Sequence, residues 1–142
     1  MNMTVDARVG LVYAEQGERQ LMHAGLLMLD LTSRRVEWRG NDVYLTSKQV
    51  NLIEFLVRDL GHFHTFEECY IAMRGDRFRQ HDIIRMRSNI RSVIRRIRDR
   101  FVAFDNQFDM IETYSGFGYR WRHHIERYPE APPLEVVNPP QE

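Results

Sequence analysis

Cysteine and long apolar runs are both scarce in this sequence. Cys69 is the only cysteine, so no disulfide can form within the chain. No apolar run approaches the ~20 residues that a membrane span needs, and residues 1–8 lack the apolar core of a signal peptide. We therefore expect a cytoplasmic protein that does not associate with membranes. At 142 residues, the chain is too short for a large barrel or doubly wound enzyme and suits one compact domain with a tail.

Lysine is also nearly absent, and the positive charge is unevenly distributed. The net charge is zero, but of the 20 basic residues only Lys48 is a lysine. Residues 74–101 contain ten arginines and three aspartates, a net charge of +7, whereas residues 1–73 have a net charge of −3. Because the local acids are too few to pair ten arginines, this segment favours a polyanionic partner, and the arginine fork can bind phosphates and guanine edges with two hydrogen bonds. A solvated helix face paired with acids elsewhere is the alternative.

Short apolar segments separated by turn signals occupy the chain up to residue 45. The strand candidates are residues 8–14, 21–31, 35–39 and 43–45, with turns at 15–19, 32–34 and 40–42. Gly25 interrupts the second segment. This pattern predicts an antiparallel β-meander of three or four strands.

The apolar period then changes to that of a helix. Thr46 or Ser47 can cap a first helix that begins near Lys48 and stops at Gly61. A second helix is predicted between Thr65 and Gly75, with Glu67 and Glu68 in its first turn. Three of its side chains are expected to face inward: Tyr70, Ile71 and Met73.

The third predicted helix, residues 84–101, has two distinct sides. Ile90, Ile94, Ile97 and Phe101 recur at spacings of four, three and four, which predicts a buried row. The expected partners of this row are Leu52, Ile53, Leu56 and Ile71. An α-helix fits the DNA major groove, where arginine and asparagine side chains pair with guanine and adenine edges.

The polar side of this helix provides the candidate contacts with nucleic acid. Its members are Arg87, Asn89, Arg91, Ser92, Arg95, Arg96 and Arg98. Arg91, Arg95 and Arg98 are expected to share the face opposite the isoleucine row. We predict that Asn89, Arg91 and Arg95 contact base edges, and that Arg96 and Arg98 hold phosphates.

A hairpin is predicted to follow the third helix. Residues 108–113 are typical of a strand, residues 115–118 of a turn, and residues 119–121 of the returning strand. Tyr119 and Trp121 are expected to pack the hairpin on the core, and Phe117 to lie exposed at its tip. The alternative is that all four aromatic residues of the hairpin stack on bases: Tyr114, Phe117, Tyr119 and Trp121.

The chain from about Leu26 to Trp121 resembles a known family. The carrying segments are Val43–Thr46 with Ser47–Leu56, Ile90–Phe101 and Ile111–Trp121, which resemble the first helix, recognition helix and closing wing of the OmpR/PhoB-type winged-helix effector domain of bacterial response regulators. Residues 108–118 are most similar to the ChvI-type branch. The resemblance implies an α+β fold, a winged helix-turn-helix with an N-terminal antiparallel meander, three helices and a C-terminal hairpin wing. It also implies a sequence-specific regulator of transcription that binds double-stranded DNA, with a homodimer on DNA and RNA polymerase as further candidate partners.

The sequence departs from the family pattern in two informative ways. Fewer than 30 residues precede the matching segment, so we expect a regulator without a phosphoacceptor receiver domain. Ser115 stands where relatives often carry a minor-groove arginine, and Arg120 or Arg122 is expected to substitute. We expect an N-terminal extension at residues 1–20, the winged-helix domain at residues 21–122 and a disordered, proline-rich tail at residues 123–142.

Two further functions compete with DNA binding. The fold could serve as a protein-interaction module in which the arginine helix binds an acidic partner. The other is an enzyme with a metal site at His62, His64, Cys69 and His81, although their spacing matches no paired zinc motif. No catalytic arrangement, phosphate-binding glycine loop or cofactor motif is visible, so we expect neither enzymatic activity nor a cofactor or metal.

Overall fold

The structure is a computed structural model that describes residues 2–6, 11–17, 19–75 and 83–123. The described chain divides into two compact units: the first contains the residues up to Tyr44 and those from Arg122, and the second is Leu45–Trp121. Two expectations fall partly outside the described residues: the first part of the strand at 8–14 and the proline-rich tail beyond His123.

The first unit contains a sheet of six antiparallel strands in chain order. They are β1 (Asn2–Asp6), β2 (Leu11–Gln16), β3 (Arg19–Ala24), β4 (Leu27–Asp30), β5 (Arg35–Trp38) and β6 (Asn41–Asp42). The expectation of three or four strands was therefore too low. Residues 2–6 form a strand that the sequence did not signal, and Gly25, with a φ of 61°, turns the chain so that Ala24 pairs with Leu27. Residues 43–45, expected as a strand, lie beyond the end of β6.

One buried carboxylate fixes a turn of this sheet. The side chain of Asp30 at the end of β4 is fully buried and forms an ion pair with Arg19 on β3. Its other oxygen accepts hydrogen bonds from the backbone N–H groups of Thr32 and Ser33 at 3.0 and 3.1 Å. Burial opposes the charged form, but the hydrogen bonds from Arg19 and Ser33 outweigh that effect and lower the pKa of Asp30.

The second unit begins with two capped helices. Helix α1 (Ser47–Val57) is capped by Thr46 and α2 (Phe66–Arg74) by Thr65, and each threonine forms a capping box with the residue three positions later. Both starts agree with the sequence prediction. Tyr70 and Met73 on α2 are buried as expected, whereas Ile71 is 42% exposed, so its predicted inward orientation was wrong.

Helix α3 (Ile83–Val102) places its apolar row in the core. Ile90, Ile94, Ile97 and Phe101 are all buried, which confirms the predicted register. Met86 extends this row by one turn. Helix α2 packs against both α1 and α3. The packed face of α2 contains the buried Phe66 and Cys69 and excludes the exposed Ile71.

A small three-stranded sheet closes the second unit. It consists of β7 (His64–Thr65), β9 (Gly118–Trp121) and β8 (Ile111–Tyr114), with β9 in the centre. Phe108 is buried in a stack on Phe101 at 4.5 Å between ring centroids, but it precedes β8, so the predicted strand begins three residues later than expected. The hairpin β8–β9 is called the wing below.

Candidate nucleic-acid interface

The side of α3 away from the isoleucine row is open to solvent and rich in hydrogen-bond donors. Its exposed polar side chains include Arg85, Arg87, Ser88, Asn89, Arg91, Arg95 and Arg96, together with one carboxylate, that of Asp99. Ser92 is half-buried. Within the described part of the chain, no carboxylate pairs with Arg91, Arg95 or Arg96. This face is therefore positively charged and available to a partner.

The structure refines which residues point directly outward. At about 100° per residue, five side chains lie within roughly 40° of the direction opposite Ile90: Arg85, Ser88, Ser92, Arg95 and Asp99. A depression along this part of the helix is lined by Arg85, Ser88, Asn89, Ser92, Val93 and Arg96. The sequence interpretation missed Arg85 and Ser88, although their helical spacing to Ser92 and Arg96 was a signal that could have revealed them.

Arg98 lies on the flank of α3 that faces the wing. One guanidinium nitrogen donates hydrogen bonds to the carbonyl oxygen of Ile111 at 2.7 Å and to Thr113 Oγ1 at 2.9 Å. The guanidinium also lies 6.0 Å from the ring centre of Tyr119. Burial lowers the pKa of Arg98, because desolvation disfavours the charged form. Arg98 therefore ties α3 to β8 and does not share the outward face with Arg95, contrary to the expected arrangement.

Arg91 is exposed beside the same flank. Glu112 on the neighbouring strand β8 accepts a 2.7 Å hydrogen bond from Nε of Arg120. Tyr119 lies close enough to sense the charges of Arg98 and Arg91. Its pKa is raised by burial, and these two guanidinium groups oppose that rise.

Arg120 and Arg122 were expected to replace a wing arginine. Arg120 is held within the molecule, because it pairs with Glu112, donates to the carbonyl oxygen of Gly61 at 3.0 Å and lies over the ring of Phe63 at 4.5 Å. Arg122 is half-buried and directly follows β9. The contacts of Arg120 with Gly61 and Glu112 therefore keep its side chain away from the tip of the wing.

The tip of the wing carries aromatic side chains. Phe117 is 41% exposed, as expected, and Tyr114 is 55% exposed. Tyr119 and Trp121 are buried, which confirms that they pack the wing on the core. Phe117 shares a cleft with the N-terminal part of α3, whose lining residues are Thr65, Phe66, Glu67, Met86, Arg87, Gly116 and Phe117.

The histidines and the cysteine considered as metal ligands have other surroundings. Cys69 is buried, and burial, with a smaller effect from Glu68, raises the pKa of its thiol to about 12. His64 lies between Asp59 and Glu68, at 3.4 and 3.6 Å from their oxygens. His81 lies outside the described residues. Among the described residues, no group of three or more potential ligands is arranged to hold a metal ion.

The helices of the described chain are also informative about membranes. None of them combines the length and the apolar character that crossing a membrane would require.

Comparison with known proteins yields a family match and several structural relatives. Residues 40–121 match the family described as transcriptional regulatory protein, C terminal. Protein RcaC of Microchaete diplosiphon is 30% identical over 118 residues, which are 83% of this chain and 16% of RcaC. The response regulator DrrB of Thermotoga maritima, an OmpR/PhoB homologue, matches with a TM-score of 0.57 and 26% identity over 72% of this chain and 44% of DrrB.

A third relative supports the fold. The DNA-binding domain of RstA from Klebsiella pneumoniae, solved in complex with the RstA box, matches with a TM-score of 0.57 and 20% identity over 73% of this chain and 98% of that domain. The chain thus corresponds to a small part of RcaC and to less than half of DrrB. Together with the three helices, the wing and the match over residues 40–121, these likenesses establish that the chain belongs to the family of C-terminal, winged-helix domains of OmpR/PhoB-type transcriptional regulators.

Proposed function

We propose that this chain binds double-stranded DNA in a sequence-specific manner and regulates transcription. The observation that carries the proposal is the exposed face of α3, which is rich in arginine, serine and asparagine. In the described part of the chain, Arg91, Arg95 and Arg96 on this face form no ion pair with a carboxylate. An α-helix of this kind fits the major groove, and its buried isoleucine row fixes its orientation on the protein. RstA, which shares the fold, was solved bound to its DNA box.

The proposed contacts divide into two classes. Asn89, Arg91 and Arg95 are proposed to contact base edges, whereas Arg87 and Arg96 are suited to phosphates on either side of the groove. Arg98 has three N–H groups beyond the nitrogen that bonds the wing. A phosphate contact by Arg98 would therefore add to its role in holding β8.

Higher assembly is a separate part of the proposal. We propose that two copies bind neighbouring half-sites on DNA and that the complex contacts RNA polymerase, in the bacterial cytoplasm. A direct repeat in the recovered DNA sites would indicate head-to-tail copies, and a palindrome would indicate a two-fold dimer.

Selection of bound sequences from a random pool of duplexes tests the proposed function. We expect a defined motif, and binding to that motif should weaken steeply as salt rises, because phosphate contacts release counterions. Recovery of no preferred sequence, with equal and weak retention of all duplexes, would contradict sequence-specific binding. In that case the arginine face would be better explained as a surface for an acidic protein.

A further inference from the structure

The part of the chain that follows the wing is acidic. Residues 124–142, which lie outside the described residues, contain four glutamates and one arginine, a net charge of −3. All five prolines of the chain lie in this segment, which is called the acidic tail. Proline lacks the backbone N–H group that the interior of a sheet or helix requires, so the sequence is poorly suited to extending either. Its charge is therefore the feature that indicates what it contacts.

The complementary positive charge is concentrated on α3. This helix contains seven arginines and one aspartate, a net charge of +6, whereas residues 1–44 contain five basic and six acidic residues, a net charge of −1. Arg91, Arg95 and Arg96 are exposed, and none of them forms an ion pair with a carboxylate among the residues that the structure describes. The exposed face of α3 therefore attracts the acidic tail, and the first part of the chain does not.

The acidic tail starts close to one end of α3. Trp121, the last residue of β9, packs edge-on against Phe101 with 5.9 Å between the ring centroids. Arg91 lies about 15 Å along the helix axis from Phe101, and passing to the opposite side of a helix about 10–12 Å wide adds roughly 17 Å of arc, so the path over the surface is about 23 Å. The chain from Trp121 spans up to about 30 Å by Glu130 and about 46 Å by Glu135. Both glutamates can therefore reach Arg91.

The covalent connection makes weak ion pairs sufficient for this contact. A single exposed ion pair stabilises a protein little, but a segment of the same chain is present at an effective concentration in the millimolar range. Arginine binds carboxylates and phosphates through the same fork of N–H groups. A glutamate bound to this face therefore occupies the donors that DNA needs.

We propose that the acidic tail binds the exposed face of α3 and competes with DNA for its arginines. This inference rests on the proposed function, because DNA is the competitor, although the contact itself forms without DNA. The competition acts on the free protein, so it lowers the affinity for every duplex by the same factor. It is strongest at low salt, where ion pairs between exposed groups are least screened.

The first experiment measures the DNA affinity of a neutral-tail variant, in which all four glutamates of the acidic tail are replaced: Glu126→Gln, Glu130→Gln, Glu135→Gln and Glu142→Gln. At about 50 mM salt, this variant should bind a recovered duplex and a random-sequence duplex about three- to tenfold more tightly than the unaltered chain does. At about 200 mM salt the gain should largely vanish, so the slope of log affinity against log salt becomes steeper.

A matched control keeps the charges and removes apolar side chains from the same segment. Leu134→Ser, Val136→Ser and Val137→Ser are combined in one variant, which should bind both duplexes like the unaltered chain. A gain in affinity in this variant, with none in the neutral-tail variant, would show an apolar contact and overturn the proposal.

A second experiment locates the acidic tail in the absence of DNA. Val136→Cys carries a photoactivatable maleimide, and the native Cys69 does not compete for the label, because it is buried and its pKa is raised to about 12. Irradiation should join the label to residues 83–102, and both the recovered duplex and the four glutamine replacements should abolish that cross-link. Cross-links confined to residues 1–44 would contradict the contact.

The outcomes separate this proposal from the function on which it rests. If the unaltered chain selects no duplex, the proposed function fails and the competition with DNA fails with it. If the chain binds its motif while the neutral-tail variant binds no more tightly at low salt, only the competition is overturned. If the neutral-tail variant gains affinity but the label never reaches α3, the acidic tail repels DNA from a distance, and the contact with α3 is overturned.

Discussion

Gly118 at the start of β9 is the position where the structure predicts the largest effect of a single added carbon. A Cβ atom there would lie 1.7 Å from the carbonyl oxygen of His64 and 2.9 Å from the Cα of Thr65. Both neighbours are backbone atoms of β7, so no side-chain rotation relieves the overlap. Gly118→Ala must therefore push β7 away from β9 by more than an ångström.

The loss in free energy of unfolding follows from the overlap itself and from the backbone hydrogen bonds that this movement breaks. Overpacking costs about 1–3 kcal/mol, and one or two backbone hydrogen bonds at about 0.5–1.5 kcal/mol each are lost, giving roughly 1.5–6 kcal/mol in total. Gly116→Ala is the matched control, because nothing lies within 4 Å of its added Cβ and only its φ of +78° is unfavourable. That strain costs about 1–2 kcal/mol.

Urea unfolding of both variants measures the difference. We expect Gly118→Ala to lower the free energy of unfolding clearly more than Gly116→Ala, and to weaken DNA binding because the wing is displaced from α2. Equal losses in the two variants would show that the contact between Gly118 and β7 does not hold the wing.

Three further predictions concern the core, an acid transition and the thiol. Ile94→Ala should lower the free energy of unfolding by about 2–5 kcal/mol, since Ile94 is 1% exposed; a urea melt with no loss would contradict the register of α3. The pKa of Asp30 is lowered in the folded chain. Its stabilising effect is therefore present above pH 3.8, its usual pKa, and is lost as the pH falls through the lower pKa of the folded state. The difference in stability between the unaltered chain and Asp30→Asn should therefore shrink below about pH 4, and a pH-independent difference in melts would refute this cause. Cys69, with a pKa of about 12, should not react with iodoacetamide at pH 7.5 until the chain unfolds, and rapid labelling of the folded chain would contradict its burial.

Much of the second unit could be predicted because local chemistry specifies it. Thr46 and Thr65 satisfy free backbone N–H groups at helix starts, and this requirement is visible in sequence. The row from Ile90 to Phe101 follows the helical period, so its burial was also predictable.

The misplaced residues depend on which elements pack together. Ile71 is apolar and lies between the buried Tyr70 and Met73, but the α2 face that packs is set by Phe66 and Cys69. Arg98 lies at helical spacing from Arg91 and Arg95, but strand β8 of the wing packs beside it and accepts its hydrogen bond. The contact between Gly118 and His64 similarly joins residues 54 positions apart, so no local pattern signals it.

Sequence selection with altered arginines tests most directly whether the exposed face of α3 reads base pairs. Arg91→Ala and Arg95→Ala are compared with Arg58→Ala, which removes an exposed arginine paired with Glu54 on α1. All three variants should fold, because these side chains are exposed. Replacing an arginine that reads a base should cost about 1–3 kcal/mol and relax the preference at one base pair.

We therefore expect Arg91→Ala and Arg95→Ala each to change the selected motif at a defined position, while Arg58→Ala returns the motif of the unaltered chain. If both α3 variants return the unaltered motif, α3 does not read DNA through this face.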